Sequence, residues 1–200
     1  MGYLGYLSLR SNIMGWFLTL VAILYAFGGP FLLWSNLRKE DVIRAENQDR
    51  SFWLVIPGFL LVFYASPLEY LFLPRLLPRA SWMQASGIVL ISVGLVLFSW
   101  ARLALKGMYS GRVRVTSGHT LVQHGPYKII RHPAYASYII MSVGIALGYS
   151  SLIGLLAIPI LLCPGLVYRI SVEEQILGAE FRQDYGDYIQ RTWHLIPYIW

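Results

Sequence analysis

Side chains able to do chemistry are unevenly spread along this sequence. They gather in two polar segments, 103–132 and 169–200, separated by a run, 133–168, without a single charged residue. The first segment closes on His119-Thr120-Leu121-Val122-Gln123-His124-Gly125-Pro126-Tyr127-Lys128-Ile129-Ile130-Arg131-His132-Pro133-Ala134-Tyr135. Gly125-Pro126 is a turn signal. His132-Pro133 suits a helix start, with proline at the first helical position. The amides that follow are placed to receive a carboxylate or a phosphate. Tyr127 and Tyr135 flank the turn and offer faces to a planar ring. The second segment opens on Arg169-Ile170-Ser171-Val172-Glu173-Glu174-Gln175-Ile176-Leu177. Arg169 and Glu173 stand four apart and share one helix face. As a plain interfacial ion pair they contribute about 0.2–0.5 kcal/mol. As a split pair, Arg169 would take an anionic substrate and Glu173 a cation. Beyond them Leu177, Phe181, Tyr185 and Tyr188 recur at helical spacing, which predicts an amphipathic helix lying on the membrane or on the first segment.

Other chemistries find little support. The four histidines, His119, His124, His132 and His194, form no HExxH pattern, and Cys163 is the single cysteine. Structural zinc normally recruits cysteine and catalytic zinc a tighter ligand cluster, so no metal is expected. Cys163 reads as packing, and an internal disulfide is ruled out. No GxGxxG, GxxxxGK[ST] or GxSxG occurs, which argues against a soluble nucleotide fold or a serine hydrolase. Glu69 is the one acid inside an apolar stretch. A proton-coupled transporter usually carries more.

The elements that must position these residues follow from composition. Of 200 residues, 56% are hydrophobic and 13% charged, with mean hydropathy +0.55. A soluble domain carries about 25% charged residues, and a disordered chain lacks aromatics, here 15%. The fold class is therefore an all-α integral membrane protein. A crossing takes about 20 apolar residues. Ile13–Trp34, Ser51–Leu68 (extendable through Leu71–Leu73) and Ala80–Ala101 qualify as single spans. Pro133–Tyr168 is too long for one crossing and turns at Gly148-Tyr149-Ser150-Ser151, so it reads as two short helices in a tight hairpin. Five spans result. Pro159 and Pro164 bracket Cys163 and predict a bend in the last one. The residues before Ile13 resemble a signal peptide's charged region, with Ala26-Phe27-Gly28 as a weak cleavage site, but the span's length and the later spans favour a retained helix. Of the 16 Lys and Arg, all but Arg10, Arg75 and Arg79 fall on one side, which makes that side cytoplasmic. The N-terminus is then outside, and both polar segments lie inside. The same bias accounts for the formal charge of +6 and pI near 9.5, so no nucleic acid partner is expected. The whole chain, 1–200, forms a single membrane domain. Residues 1–102 hold the first three spans, and 103–200 hold the loop, hairpin and tail.

The run from His119 to Tyr135, with Arg131-His132-Pro133 and Tyr135, resembles the isoprenylcysteine carboxyl methyltransferases, and the related phospholipid N-methyltransferases share much of it. Glu173-Glu174-x-x-Leu177, Tyr185-Gly186-Asp187-Tyr188, Arg191 and Pro197 match as well, in order, over roughly the last 100 residues. The size is that of prokaryotic members. The resemblance implies an integral membrane enzyme that transfers a methyl group from S-adenosyl-L-methionine. It implies a cytoplasmic cofactor pocket made by the loop before the hairpin and the tail after it. By position, His119, Thr120, Leu121, Val122, Tyr127, His132, Pro133, Ala134, Tyr135 and Glu173 are implied as cofactor contacts. Arg169 is implied as the substrate-binding arginine, and Arg169 and Glu173 together as the catalytic pair. Where the family often has a Gln seven residues before His119, this chain has Arg112. The implied acceptor is a lipid or a lipidated small molecule or peptide drawn from the bilayer, methylated on a prenylcysteine-type carboxylate.

Three other readings stay open at this point. Arg169 beside a lipid phosphate would suit N-methylation of a phospholipid headgroup. Sterol-type reductases carry a similar RHPxY segment and use NADPH, whose 2′-phosphate Arg112 and Arg114 would attract. A non-enzymatic membrane scaffold or small transporter would use the motifs only to cap helices.

Overall fold

The computed structural model describes residues 17, 42–45, 51–74, 76–105, 114–116 and 121–198. The first expected span, Ile13–Trp34, therefore lies outside the described residues except for Phe17. The chain is an integral membrane protein, and its described part is a helical bundle with one small strand pair. The elements run β1 (Val42–Ala45), α1 (Ser51–Leu60), α2 (Ser66–Phe72), α3 (Ser81–Ala104), β2 (Arg114–Thr116), α4 (Pro133–Gly148), α5 (Leu152–Ala157) and α6 (Cys163–Ile189). β1 and β2 pair antiparallel, a feature the sequence reading did not anticipate. A π-helical turn, Leu61–Ala65, joins α1 to α2 into one crossing. Pro57 sits inside α1 without breaking it. Among the described residues three helices are long and apolar enough to cross a membrane: Trp53–Phe72, Ser81–Ala104 and Leu152–Ile189, with Pro133–Gly148 a shorter apolar one.

The hairpin turn falls where expected. α4 ends at Gly148, Ser150 takes a left-handed backbone (φ 53°), and Ser151 caps the next helix by accepting from the Gly154 amide. The expectation of two short helices fails for the second one. α5 continues through a π-helical turn at Ile158–Leu162 into α6 without an end. From Leu152 to the break at Arg182 the helix runs 30 residues (152–181), about 45 Å at 1.5 Å per residue, against a hydrocarbon core of about 30 Å. Its first part, 152–168, is free of charge, and the charged residues begin at Arg169. Pro159 and Pro164 thus produce a π-helical turn instead of a helix end, because the wider turn re-routes the backbone bonds that proline interrupts.

Backbones meet closely at two crossings. A Cβ on Gly87 of α3 would sit 2.7 Å from the Gly144 carbonyl of α4 and 2.9 Å from Gly148 Cα. Likewise a Cβ on Gly58 of α1 would sit 2.7 Å from Leu162 Cα. With no water to expel between helices in lipid, small residues at the contact gain dispersion energy by letting the rods approach. The main core joins Phe17, Val55, Val62, Ile91, Ile145, Leu162 and Leu166. Trp53, Val96 and Leu103 stay exposed on the bundle's flanks, as side chains facing acyl chains do.

One polar contact ties the far end of the hairpin. Glu69, in the first turn of α2, is buried and accepts from Ser151 Oγ and from the Leu152 and Ile153 amides, both at 3.0 Å. It satisfies amides that the first turn of α5 leaves without helical partners. The lone intramembrane acid is thus a cap supplied by a neighbouring helix.

Candidate active site

Three stretches converge at the opposite end of α4. The first is a 3-10 turn, Gly125–Lys128, at the expected Gly-Pro turn, where Gly125 takes φ 62°, a conformation its missing Cβ permits. The second is the N-terminus of α4, which begins at Pro133 as expected. The third is α6 with the tail behind it. The tail doubles back: Arg131 N–H donates to Trp193 O (2.7 Å), Trp193 N–H to Ile129 O (3.0 Å) and His132 N–H to His194 O (3.1 Å). Tyr188 Oη donates to Tyr127 O at 2.8 Å, and Tyr185 and Tyr188 are buried while Leu177 and Phe181 are half-buried. The amphipathic helix therefore lies on the loop. Near its end Arg182 adopts φ 43°, ψ −109°, and that break redirects the last turns toward 125–131.

Two linked sets of side chains occupy this junction. In the first, Tyr135 Oη donates to Glu173 Oε2 (2.7 Å) and accepts from Arg169 Nε (2.9 Å). Arg169 and Glu173 share a face as expected, with the tyrosine hydroxyl from α4 bridging them. Arg169 is buried at 5% exposure, whereas the Glu173 side chain keeps 30%. Among the described residues Glu173 Oε1 receives no hydrogen bond. In the second set, Glu174 Oε1 accepts from Arg131 Nε (2.8 Å) and lies 3.2 Å from His132 Nε2, while His194 Nε2 stands 3.4 Å from Oε2. Buried Arg131 also donates from Nη1 to Ile189 O (3.2 Å) and to Thr192. His132 joins the sets, stacked on Tyr135 with centroids 5.6 Å apart and its Nδ1 3.8 Å from Glu173 Oε2.

The electrostatics separate the two glutamates. Burial alone would raise the Glu174 carboxyl, but hydrogen bonds from His132 and Arg131 and their charges outweigh it and hold it at about 2. For His194, burial is the leading cause and pushes the imidazole down, partly opposed by Glu174. Glu174 is thus a saturated carboxylate at a structural crossing, whereas the Glu173 side chain is 30% exposed and among the described residues its Oε1 has no hydrogen bond.

Of the residues the sequence reading named, the structure brings together His132, Tyr135, Arg169 and Glu173; Pro133 and Ala134 follow His132 in the first turn of α4, and the Tyr127 carbonyl meets Tyr188 of the tail. Leu121 and Val122 are half-buried just before the 3-10 turn. His119, Thr120 and Arg112 lie outside the described residues. His132 precedes α4, but its side chain makes no cap bond and points to the glutamates instead. The sequence reading assigned no site role to Arg131, Glu174, His194 or Tyr185. The second acid of the Glu173-Glu174 pair facing a fixed arginine was the available signal.

Comparison with known proteins follows from this arrangement. Residues 87–179 match the isoprenylcysteine carboxyl methyltransferase (ICMT) family, a range that contains α4, the hairpin, Arg169 and both glutamates. This part of the chain is similar to that family. Among curated relatives, protein-S-isoprenylcysteine O-methyltransferase A of Arabidopsis thaliana is 26% identical over 78% of this chain and 81% of its own. The protein-S-isoprenylcysteine O-methyltransferase of Tribolium castaneum is 32% identical over 66% of this chain and 47% of its own. The solved structure of a eukaryotic intramembrane Ras methyltransferase, isoprenylcysteine carboxyl methyltransferase, superposes with TM-score 0.51 at 26% identity, over 77% of this chain and 54% of that one. The chain spans about half of that structure's length.

Proposed function

We propose that this protein is a membrane methyltransferase that carries a methyl group from S-adenosyl-L-methionine to the carboxylate of a lipidated, prenylcysteine-type acceptor. The observation that carries the reading is Glu173: an accessible carboxylate with one oxygen open, beside a buried arginine and bridged to it by Tyr135. A cationic cofactor and an anionic acceptor call for that pairing of charges. The donor set therefore fits the cofactor. When bound, S-adenosyl-L-methionine supplies an electrophilic methyl on a sulfonium.

The chain's own residues then do the following. Glu173 offsets the cofactor's positive charge, together with His119, Thr120, Leu121, Val122, Tyr127, His132, Pro133, Ala134 and Tyr135 as its surroundings. Arg169 holds the acceptor carboxylate through its planar fork. A carboxylate is ionised at neutral pH, so no general base is needed and catalysis rests on alignment and exclusion of water. The Tyr135 hydroxyl keeps Arg169 and Glu173 at fixed positions, one for each reactant. The acceptor's lipid arm remains in the bilayer beside α6. In this reading the chain crosses the membrane five times, with N-terminus outside and the pocket cytoplasmic. Residues 103–200 carry the chemistry and 1–102 the first three spans of a single domain.

Calorimetric titration of the detergent-purified protein with S-adenosylhomocysteine, and in parallel with NADPH, tests the class. Micromolar S-adenosylhomocysteine binding with no NADPH heat is expected. NADPH binding instead would move the protein to the reductases, and silence from both in a folded sample would defeat the enzymatic reading. Methylation of a prenylcysteine but not of a phosphatidylethanolamine vesicle separates the preferred acceptor from the headgroup alternative.

A further inference from the structure

Tyr185 stands out among the buried groups near the site. The residue is 5% exposed, and among the described residues its hydroxyl has no hydrogen-bond partner. It follows the break at Arg182, which folds its ring back over α6: a Cβ added to Gly178 would lie 3.7 Å from Tyr185 Cδ1. The adjacent Tyr188, packed against it with centroids 6.0 Å apart, does find a partner in Tyr127 O. A buried hydroxyl left without a partner is disfavoured, so one held this way invites a role.

We infer that Tyr185 is a cofactor-binding residue whose hydroxyl donates a hydrogen bond to a neutral acceptor atom in the nucleoside half of the S-adenosyl ligand. This rests on the methyltransferase reading above. The choice of half follows from charge. Burial is the main cause that raises the Tyr185 phenol, and Glu174 and Glu173 add to it against Arg131. The proton therefore stays on, and the hydroxyl is a donor. The same two carboxylates repel the anionic end of the cofactor's amino-acid half, and Arg131 is already engaged with Glu174. A ribose hydroxyl or ring nitrogen meets no such penalty. The Arg182 break sets the ring near Gly178, and its neighbour Tyr188 meets Tyr127, so the donor lies where the tail packs against the 125–128 turn.

The test compares Tyr185→Phe with the parent chain in detergent, using S-adenosylhomocysteine and methylthioadenosine, which retains only the nucleoside half. Because the hydroxyl has no partner in the protein alone, its removal should leave the unliganded melting temperature unchanged or higher. Affinity for both probes should fall by the same factor, about 3- to 10-fold for a neutral hydrogen bond. Tyr188→Phe, which removes a made bond, should instead lower the unliganded melting temperature. Parent-like affinity of Tyr185→Phe for both probes would overturn the inference. Loss confined to S-adenosylhomocysteine would overturn it too, by assigning the hydroxyl to the amino-acid half. A destabilised Tyr185→Phe protein would show a structural role and have the same effect. A parent that binds neither probe would defeat the methyltransferase reading itself, and this inference with it.

Discussion

Replacing Glu69 by Gln should unlatch the far end of the hairpin, and its cost can be worked from the contacts. Oε2 accepts from Ser151 Oγ and the Ile153 amide, and Oε1 from the Leu152 amide. A carboxylate has acceptors on both oxygens, whereas an amide has one oxygen and an NH2. If the amide oxygen takes the place of Oε2, its nitrogen faces the Leu152 N–H, donor against donor. That amide is then left unpaired, at about 1–3 kcal/mol. The favourable interaction of an acid with a helix N-terminus, up to about 2 kcal/mol when partly buried, is lost as well. Turning the amide over is worse, because two donors then face the nitrogen. The net expectation is a loss of about 2–4 kcal/mol, lowering the melting temperature by about 5–15 °C for a chain of this size. Thermal unfolding in detergent, followed by tryptophan fluorescence, measures it. Because Glu69 caps the hairpin at the end of α4 away from Tyr135, cofactor affinity of the folded fraction should match the parent. A shift below about 2 °C would refute the reasoning, since the cap would then be contributing little. Impaired cofactor binding at unchanged stability would refute the separation of the two ends.

Other consequences can be checked alongside it. Gly87→Ala places a Cβ 2.7 Å from the Gly144 carbonyl, and forcing α3 and α4 apart should cost about 1–3 kcal/mol, read as a lower melting temperature that Gly186→Ala, with open space around it, does not reproduce. The Glu174 carboxyl lies at about 2 in the fold against an ordinary 4.5. Its contribution to stability is therefore complete above 4.5 and lost as pH falls from there toward 2; Glu174→Gln should flatten that acid limb of the stability profile, and an unaltered limb would remove Glu174 from the network. Arg169→Lys keeps the charge but loses the fork, so the acceptor KM should rise about tenfold or more while S-adenosylhomocysteine affinity stays near the parent's. Glu173→Gln should do the reverse, weakening the cofactor; unchanged affinity would take Glu173 out of the cofactor's surroundings.

Much of this molecule is legible one segment at a time. The crossings at 51–72 and 81–104, the turn at Gly148–Ser151, the turn at Gly125-Pro126 and the α4 start at Pro133 are local events. Each is fixed by hydrophobic length, by the missing donor of proline or by the missing Cβ of glycine, and residues next to one another in the chain suffice to specify it. The charge-free run between two polar segments also determined that both would reach one surface, because a helical hairpin returns its ends to the same side. What the sequence left open were choices among partners. Glu69 meets Ser151 across 82 positions, Tyr135 bridges Arg169 and Glu173 across 34 and 38, and Arg131 meets Glu174 across 43. The two adjacent glutamates are indistinguishable by type; a difference in what each faces saturates one and leaves the other open. The continuity of the last helix through its prolines, and the break at Arg182 that buries Tyr185, were likewise settled by packing. A buried polar atom takes whichever partner the fold presents, and only the assembled bundle sets which one is within reach.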